Sequence, residues 1–179
     1  MKCAIQLIFS EEYQTQINSI RRVLAERGVH DEAVPVNHIS LADIEVDESE
    51  LIKVEQILND FASSHKCLNL VLSSVGTFMS KENVLFIAPT MTEELMKYND
   101  ELVSMLASKN IKCGKYYTKN NWQPHCTIAI RLSDNELIKG FQVLKDNINL
   151  PINACVESID LLRYNPKPYE ELMKFNLKK

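Results

Sequence analysis

The stretch His38-Ile39-Ser40-Leu41 returns later in the chain as His125-Cys126-Thr127-Ile128. Each copy lies in a short apolar run, Val36 to Leu41 and Cys126 to Ile130, that reads as a strand. Residues i and i+2 of a strand share a face, so each imidazole has a hydroxyl beside it: Ser40 in one copy, Thr127 in the other. Ile39, Leu41, Cys126 and Ile128 have the character of a buried strand. Two such pairs facing one another supply a proton donor, a proton acceptor and two hydroxyls around one point. That set suits cleavage of a phosphodiester without a metal. One imidazole deprotonates an attacking water, the other protonates the leaving oxygen, and the hydroxyls donate to the non-bridging oxygens. A 2′,3′-cyclic phosphate is a sensible target because its strained ring lowers the barrier. His38 and His125 are thus the candidate acid and base, while His30 and His65 fall at expected helix ends or loops and read as surface residues. The Cys126 thiol points to the opposite strand face from His125 and is set aside as a nucleophile.

Working outward, four amphipathic helices surround these strands. The first follows Ser10, with Tyr13, Ile17, Ile20 and Leu24 on one face and Gly28 as its stop. The second opens at Asp47-Glu48-Ser49-Glu50, which resembles a capping box, and buries Leu51, Val54, Leu58 and Phe61. Thr90 and Glu93 can cap the third, whose stripe is Leu95, Tyr98, Leu102 and Met105; Ser133 and Glu136 open the fourth, with Leu137, Phe141 and Leu144 facing inward. Strand-like runs cover residues 3–9, 68–72, 84–88, 154–162 and 172–177. The order strand, helix, His-strand, helix, strand occurs twice, as in an old duplication. A doubly wound nucleotide-binding sheet needs a glycine-rich turn after its first strand. Here that turn is Phe9-Ser10-Glu11-Glu12, without glycine and with two carboxylates that repel phosphate, so that fold is excluded.

The 179 residues match one domain, or two fused small lobes. No apolar run reaches the roughly 20 residues that span a bilayer. Met1 leads straight into a strand-like run without a secretory cleavage site, so no membrane partner and a cytoplasmic location are expected. The five cysteines are scattered, without C-x-x-C or zinc spacing, and read as reduced core thiols. His65-Lys66-Cys67 lacks a second ligand pair, so neither metal nor cofactor is expected. A net charge of −4 and a pI near 5.6 argue against a grip on long duplex nucleic acid. From Lys109 to Arg131, however, five Lys/Arg and no acid surround the second motif. This is a locally positive approach suited to a small or terminal phosphate, with Lys115 a candidate contact. Phe78 and Trp122, the latter in the polar loop Asn120-Asn121-Trp122-Gln123-Pro124, are candidates for stacking on a base; a core role for Phe78 stands beside that reading.

With these residues in view, the chain resembles the two-histidine (2H) phosphoesterase superfamily, the group of 2′-5′ RNA ligase-like proteins and 2′,3′-cyclic phosphodiesterases. The family motif is His-x-Thr/Ser plus a hydrophobic residue, twice. Pro124 before His125, the run Gly76-Thr77-Phe78 leading to Val84-Leu85-Phe86-Ile87-Ala88-Pro89, and the ending Ser158 to Tyr164 add to the likeness. The resemblance implies one bilobed α+β domain over residues 1–179, with two antiparallel sheets flanked by helices around a central cleft and one His motif from each lobe. It implies His38 and His125 as the acid/base pair, with Ser40 and Thr127 on the phosphate oxygens. The expected partner is a nucleotide or short RNA terminus bearing a cyclic phosphate, met by a monomer. Arg131 lies one place later than the family's basic residue, an offset that turns its side chain to the other strand face. A nucleotide- or RNA-end-binding module with little turnover is the alternative, and a zinc protein a more distant one.

Overall fold

Capping chemistry sets the helix ends. The computed structural model describes residues 1–30, 32, 36–80 and 82–179. Its elements are β1 (Lys2–Phe9), α1 (Glu11–Glu26), β2 (His38–Glu45), α2 (Leu51–Ser64), β3 (Leu68–Phe78), β4 (Val84–Pro89), α3 (Glu93–Ser108), β5 (Cys126–Ile130), α4 (Asp134–Asn147), β6 (Ile152–Asn165) and β7 (Glu170–Asn176). Gly28 ends α1 at φ 74°, where the Gly28 N–H reaches the Ala25 carbonyl and the Val29 N–H the Leu24 carbonyl. That pair of bonds is a Schellman motif. Ser133 and Glu136 form a capping box on α4, and Asp47 and Glu50 form one on the short turn that leads into α2. Helix α3 is capped by Thr92 rather than Thr90. The Thr92 hydroxyl accepts from the Leu95 N–H, whereas the Thr90 N–H is still bonded to the Val71 carbonyl of β3.

All six pairings among the seven strands are antiparallel, in the order β2-β1-β6-β3-β4-β5 with β7 added alongside β6. Strand β6 serves two neighbourhoods. Its first part, Ile152 to Val156, pairs with β3, and its remainder lies between β1 and β7. The expected two sheets are therefore the halves β2-β1-β6-β7 and β6-β3-β4-β5, joined into one ladder by the strand they share. Exchanging β1 with β4, β2 with β5 and β3 with β6 maps the strand order onto itself. The helix packing obeys the same exchange: α1 meets α4 and α3 meets α2, while α3 backs β2 and α1 backs β5. Both β3 and β6 outrun their apolar stretches, because the ladders with β4 and β1 carry residues of weak strand preference, such as Ser74, Gly76 and Asn165.

One face of the sheet is core: Ile5 and Leu7 of β1, Ile39 and Leu41 of β2, and Ile159 of β6 pack against Leu24, Leu58, Phe61 and Leu102 of the helices. His65 belongs to this buried side, contrary to the surface role its helix-end position suggests. Its ring stacks on Phe61 at 3.8 Å, one turn back, and its Nε2 lies 2.8 Å from the Glu101 carboxylate. His30 is exposed and pairs with Glu136. The opposite face carries a lateral row of register partners, Ser40, Gln6, Asp160 and Lys174, on four successive strands. Edge strands β2 and β5 approach each other, so the two motif strands end at one place.

Candidate active site

One device orients both histidines. His38 Nδ1 lies 2.8 Å from the Val36 carbonyl oxygen, and His125 Nδ1 lies 2.8 Å from the Gln123 carbonyl oxygen. A carbonyl only accepts, so each Nδ1 carries a proton and each neutral ring keeps its lone pair on Nε2. Desolvation pushes His38 down to about 4, opposed by the bond to Val36 and assisted by the Arg21 guanidinium and by His125 when that ring is charged. His125 is also lowered, by desolvation against the opposing Gln123 bond. The two motifs lie side by side: β2 meets β5, and the His38 backbone bonds the thiol of Cys126, the residue after His125. An anion beside either ring would favour its protonation, the condition for one imidazole to act as acid and the other as base.

Around His125 the support is aromatic. The Phe78 ring meets it edge-on, with centroids 4.7 Å apart and an interplanar angle of 83°, and Phe86 lies at 5.2 Å. Phe86 in turn covers Gly76, where an added Cβ would stand 2.6 Å from two ring carbons. Pro124, before His125, is buried. Around His38 the support is polar. Asn37, the preceding residue, is buried and hydrogen-bonded to Gln14, Asn18 and Arg21 of α1. Behind the site the backbone of His38 contacts the Cys126 thiol, whose complete burial pushes it up to about 12 and leaves it a poor nucleophile.

The structure places the candidate residues unequally. Ser40 contacts the Tyr117 phenol through its side chain, and its carbonyl accepts the Trp122 indole N–H at 3.0 Å. The loop before β5 is thereby tied to β2 of the other lobe. Thr127 is half-buried, faces Phe86 across the β4–β5 ladder, and has no side-chain hydrogen bond among the described residues. Phe78, Trp122 and His125 line a cleft of about 590 Å³ together with Tyr116, Tyr117 and Asn121. Lys115 is exposed beside it, its Nζ 4.7 Å from the centre of the Tyr116 ring. Arg131, at φ 64°, leaves the site to pair with Glu32 and Glu82. Within the first lobe, the buried Asp160 carboxyl is raised to about 7, by desolvation first and then by Glu171, and its Oδ1 has no hydrogen-bond partner among the described residues. No cluster of three or more His, Cys, Asp or Glu side chains able to hold a metal occurs among the described residues.

Sequence reasoning passed over Gln14, Asn37, Phe86 and Tyr117. A signal existed for the first: Gln14, Asn18 and Arg21 form a polar stripe at helical spacing beside the apolar one.

A family model of the 2′-5′ RNA ligase superfamily matches residues 9–168. A Bacillus licheniformis protein named as a phosphoesterase is 28% identical over 137 residues, which cover 76% of this chain and 75% of that one. Among solved structures, TT0787 of Thermus thermophilus superposes with a TM-score of 0.72 at 18% identity. Escherichia coli LigT superposes at 0.69 and 14% in its apo form. Each of these two alignments covers 99% of this chain and 98% of the other. At such identities the likeness is one of fold. No helix among the described residues is long and apolar enough to cross a membrane.

Proposed function

The chain belongs to the 2′-5′ RNA ligase superfamily, and from that premise we propose that it is a metal-independent phosphodiesterase that opens 2′,3′-cyclic phosphates on nucleotides or RNA ends. One observation supports this reading: two imidazoles, each with Nδ1 2.8 Å from a backbone carbonyl and so free to use Nε2 for proton transfer, stand at the starts of the adjoining strands β2 and β5. In the proposed reaction one Nε2 takes a proton from water as the new O–P bond forms. The other, protonated, delivers its proton to the ribose oxygen as the ring P–O bond breaks, leaving a phosphomonoester. Ser40 and Thr127 donate to the non-bridging oxygens. With a ribose 5′-hydroxyl attacking in place of water, the same ring-opening step forms a 2′-5′ bond as the ring P–O bond to the 3′ oxygen breaks, and its reverse re-forms the cyclic phosphate. Phe78 and Trp122 stack on the base, and Lys115 draws the phosphate inward. LigT has been crystallised with 3′-AMP and with ATP, which supports a nucleotide in this cleft.

A binding module is the second reading, favoured by one consideration: burial lowers both imidazoles and so disfavours the protonated acid that turnover requires. Turnover decides between them. Cyclic mononucleotides and short RNAs with cyclic ends, assayed in excess chelator, are expected to yield monophosphates. His38→Ala and His125→Ala are each expected to lower kcat by about 10²–10⁴-fold. Tight binding without product across that panel establishes the module instead, and full activity in either alanine variant ends the assignment of the pair.

A further inference from the structure

The Val36 carbonyl and the Asn37 N–H belong to one rigid peptide plane and point in opposite directions. On one side the carbonyl receives His38 Nδ1–H at 2.8 Å; on the other the N–H donates to Gln14 Oε1 at 2.9 Å. Gln14 Nε2 donates in turn to the Asn37 carbonyl at 2.8 Å, so one side-chain amide holds both backbone groups of Asn37 as a neighbouring strand would. The Asn37 side chain completes the clamp. Its Nδ2 donates to Gln14 Oε1 at 3.0 Å and to Asn18 Oδ1 at 2.9 Å, and its Oδ1 accepts from Arg21 at 3.1 Å. Only 1% of Asn37 is exposed, so these bonds have little competition from water.

We propose that Gln14 is a positioning residue for His38: by holding the 36–37 peptide plane it aims the Val36 carbonyl at the imidazole, fixing the Nδ1–H tautomer and leaving the lone pair on Nε2. The other lobe has no counterpart to this bond. Its plane is Gln123–Pro124, which has no N–H to hold, and the buried proline restrains the backbone by ring and packing instead. Only the kinetic consequence of the inference rests on the proposed phosphodiesterase reading; the tautomer does not.

The test is two-bond ¹H–¹⁵N correlation spectroscopy of the full chain with labelled histidine, at pH 8, where neutral rings report their tautomer. Wild-type His38 is expected to carry its proton on Nδ1. In Gln14→Met, similar in shape but unable to hydrogen-bond, His38 is expected to become a mixture of tautomers while His125 keeps its signals. Gln14→Glu, which retains an acceptor for the Asn37 N–H, is expected to restore the wild-type pattern. On a cyclic phosphate, Gln14→Met is expected to lose about 10–100-fold in kcat with KM changed by less than about threefold. An Nε2-protonated His38 in the wild type overturns the proposal whether or not the variants fold. So does an unchanged His38 in Gln14→Met, or a shift shared equally by His125. Absence of turnover on every cyclic phosphate refutes the activity and leaves the tautomer result standing.

Discussion

The two lobes present the same group in the same way and secure it by different physics. In both, an imidazole leans on the carbonyl two residues before it. The first lobe secures that carbonyl through buried hydrogen bonds from α1 to Asn37. The second secures its histidine through Pro124, Phe78 and Phe86, whose restraint is packing. Hydrogen bonds are directional, and a lost partner leaves a buried polar group unsatisfied; packing yields instead to changes of volume. The lobes should therefore fail under different substitutions.

The sharpest break in that comparison is expected from Gly76→Val. A side chain there collides with the Phe86 ring. It should cost about 1–3 kcal/mol of stability and about tenfold in turnover through displacement of His125. Urea unfolding and kcat measure both, and the His38 resonances should stay in place; if they move as far as those of His125, the lobes are not independently supported. A smaller effect concerns pH. The depressed pKa values of the free protein, His38 pushed down to about 4 and His125 also lowered, set the limbs of the kcat/KM profile, because one ring must be charged and the other neutral. The optimum of kcat/KM is expected on the acid side of 6.5, the ordinary imidazole value, and that of kcat higher, since bound phosphate raises both rings. A kcat/KM plateau extending to pH 8 contradicts the assignment. The smallest effect is expected from Arg131→Ala. Its guanidinium is spent on Glu32 and Glu82, so kcat/KM and melting temperature should match the wild type; a tenfold rise in KM would return it to the substrate.

The parts readable from the chain were those decided by near neighbours. The i, i+2 spacing placed a hydroxyl on each histidine's face, the apolar stripes located four helices, and Gly28 and Ser133 marked where two of them stop and start. The repeated order of elements foreshadowed a strand order that maps onto itself. The errors came where a distant partner outweighed local preference. Thr90 could cap α3 on local grounds, but β3 engages its N–H. His65 ends a helix like a surface residue, but Phe61 and Glu101 draw it inward. Gln14, Asn18 and Arg21 of α1 gain their role only from Asn37, a residue the fold sets against them.

Which residues flank each histidine, and where the helices start and stop, was thus settled by the order of amino acids, because strand alternation and helix capping act over a few positions. How the two motif strands come together, which nitrogen each imidazole keeps unprotonated and in which direction each pKa moves come only from the folded molecule. The shared strand β6 and the approach of β2 to β5 decide the meeting. Tautomer and pKa follow from carbonyls and burial, and desolvation belongs to the assembled surroundings rather than to any segment of the chain.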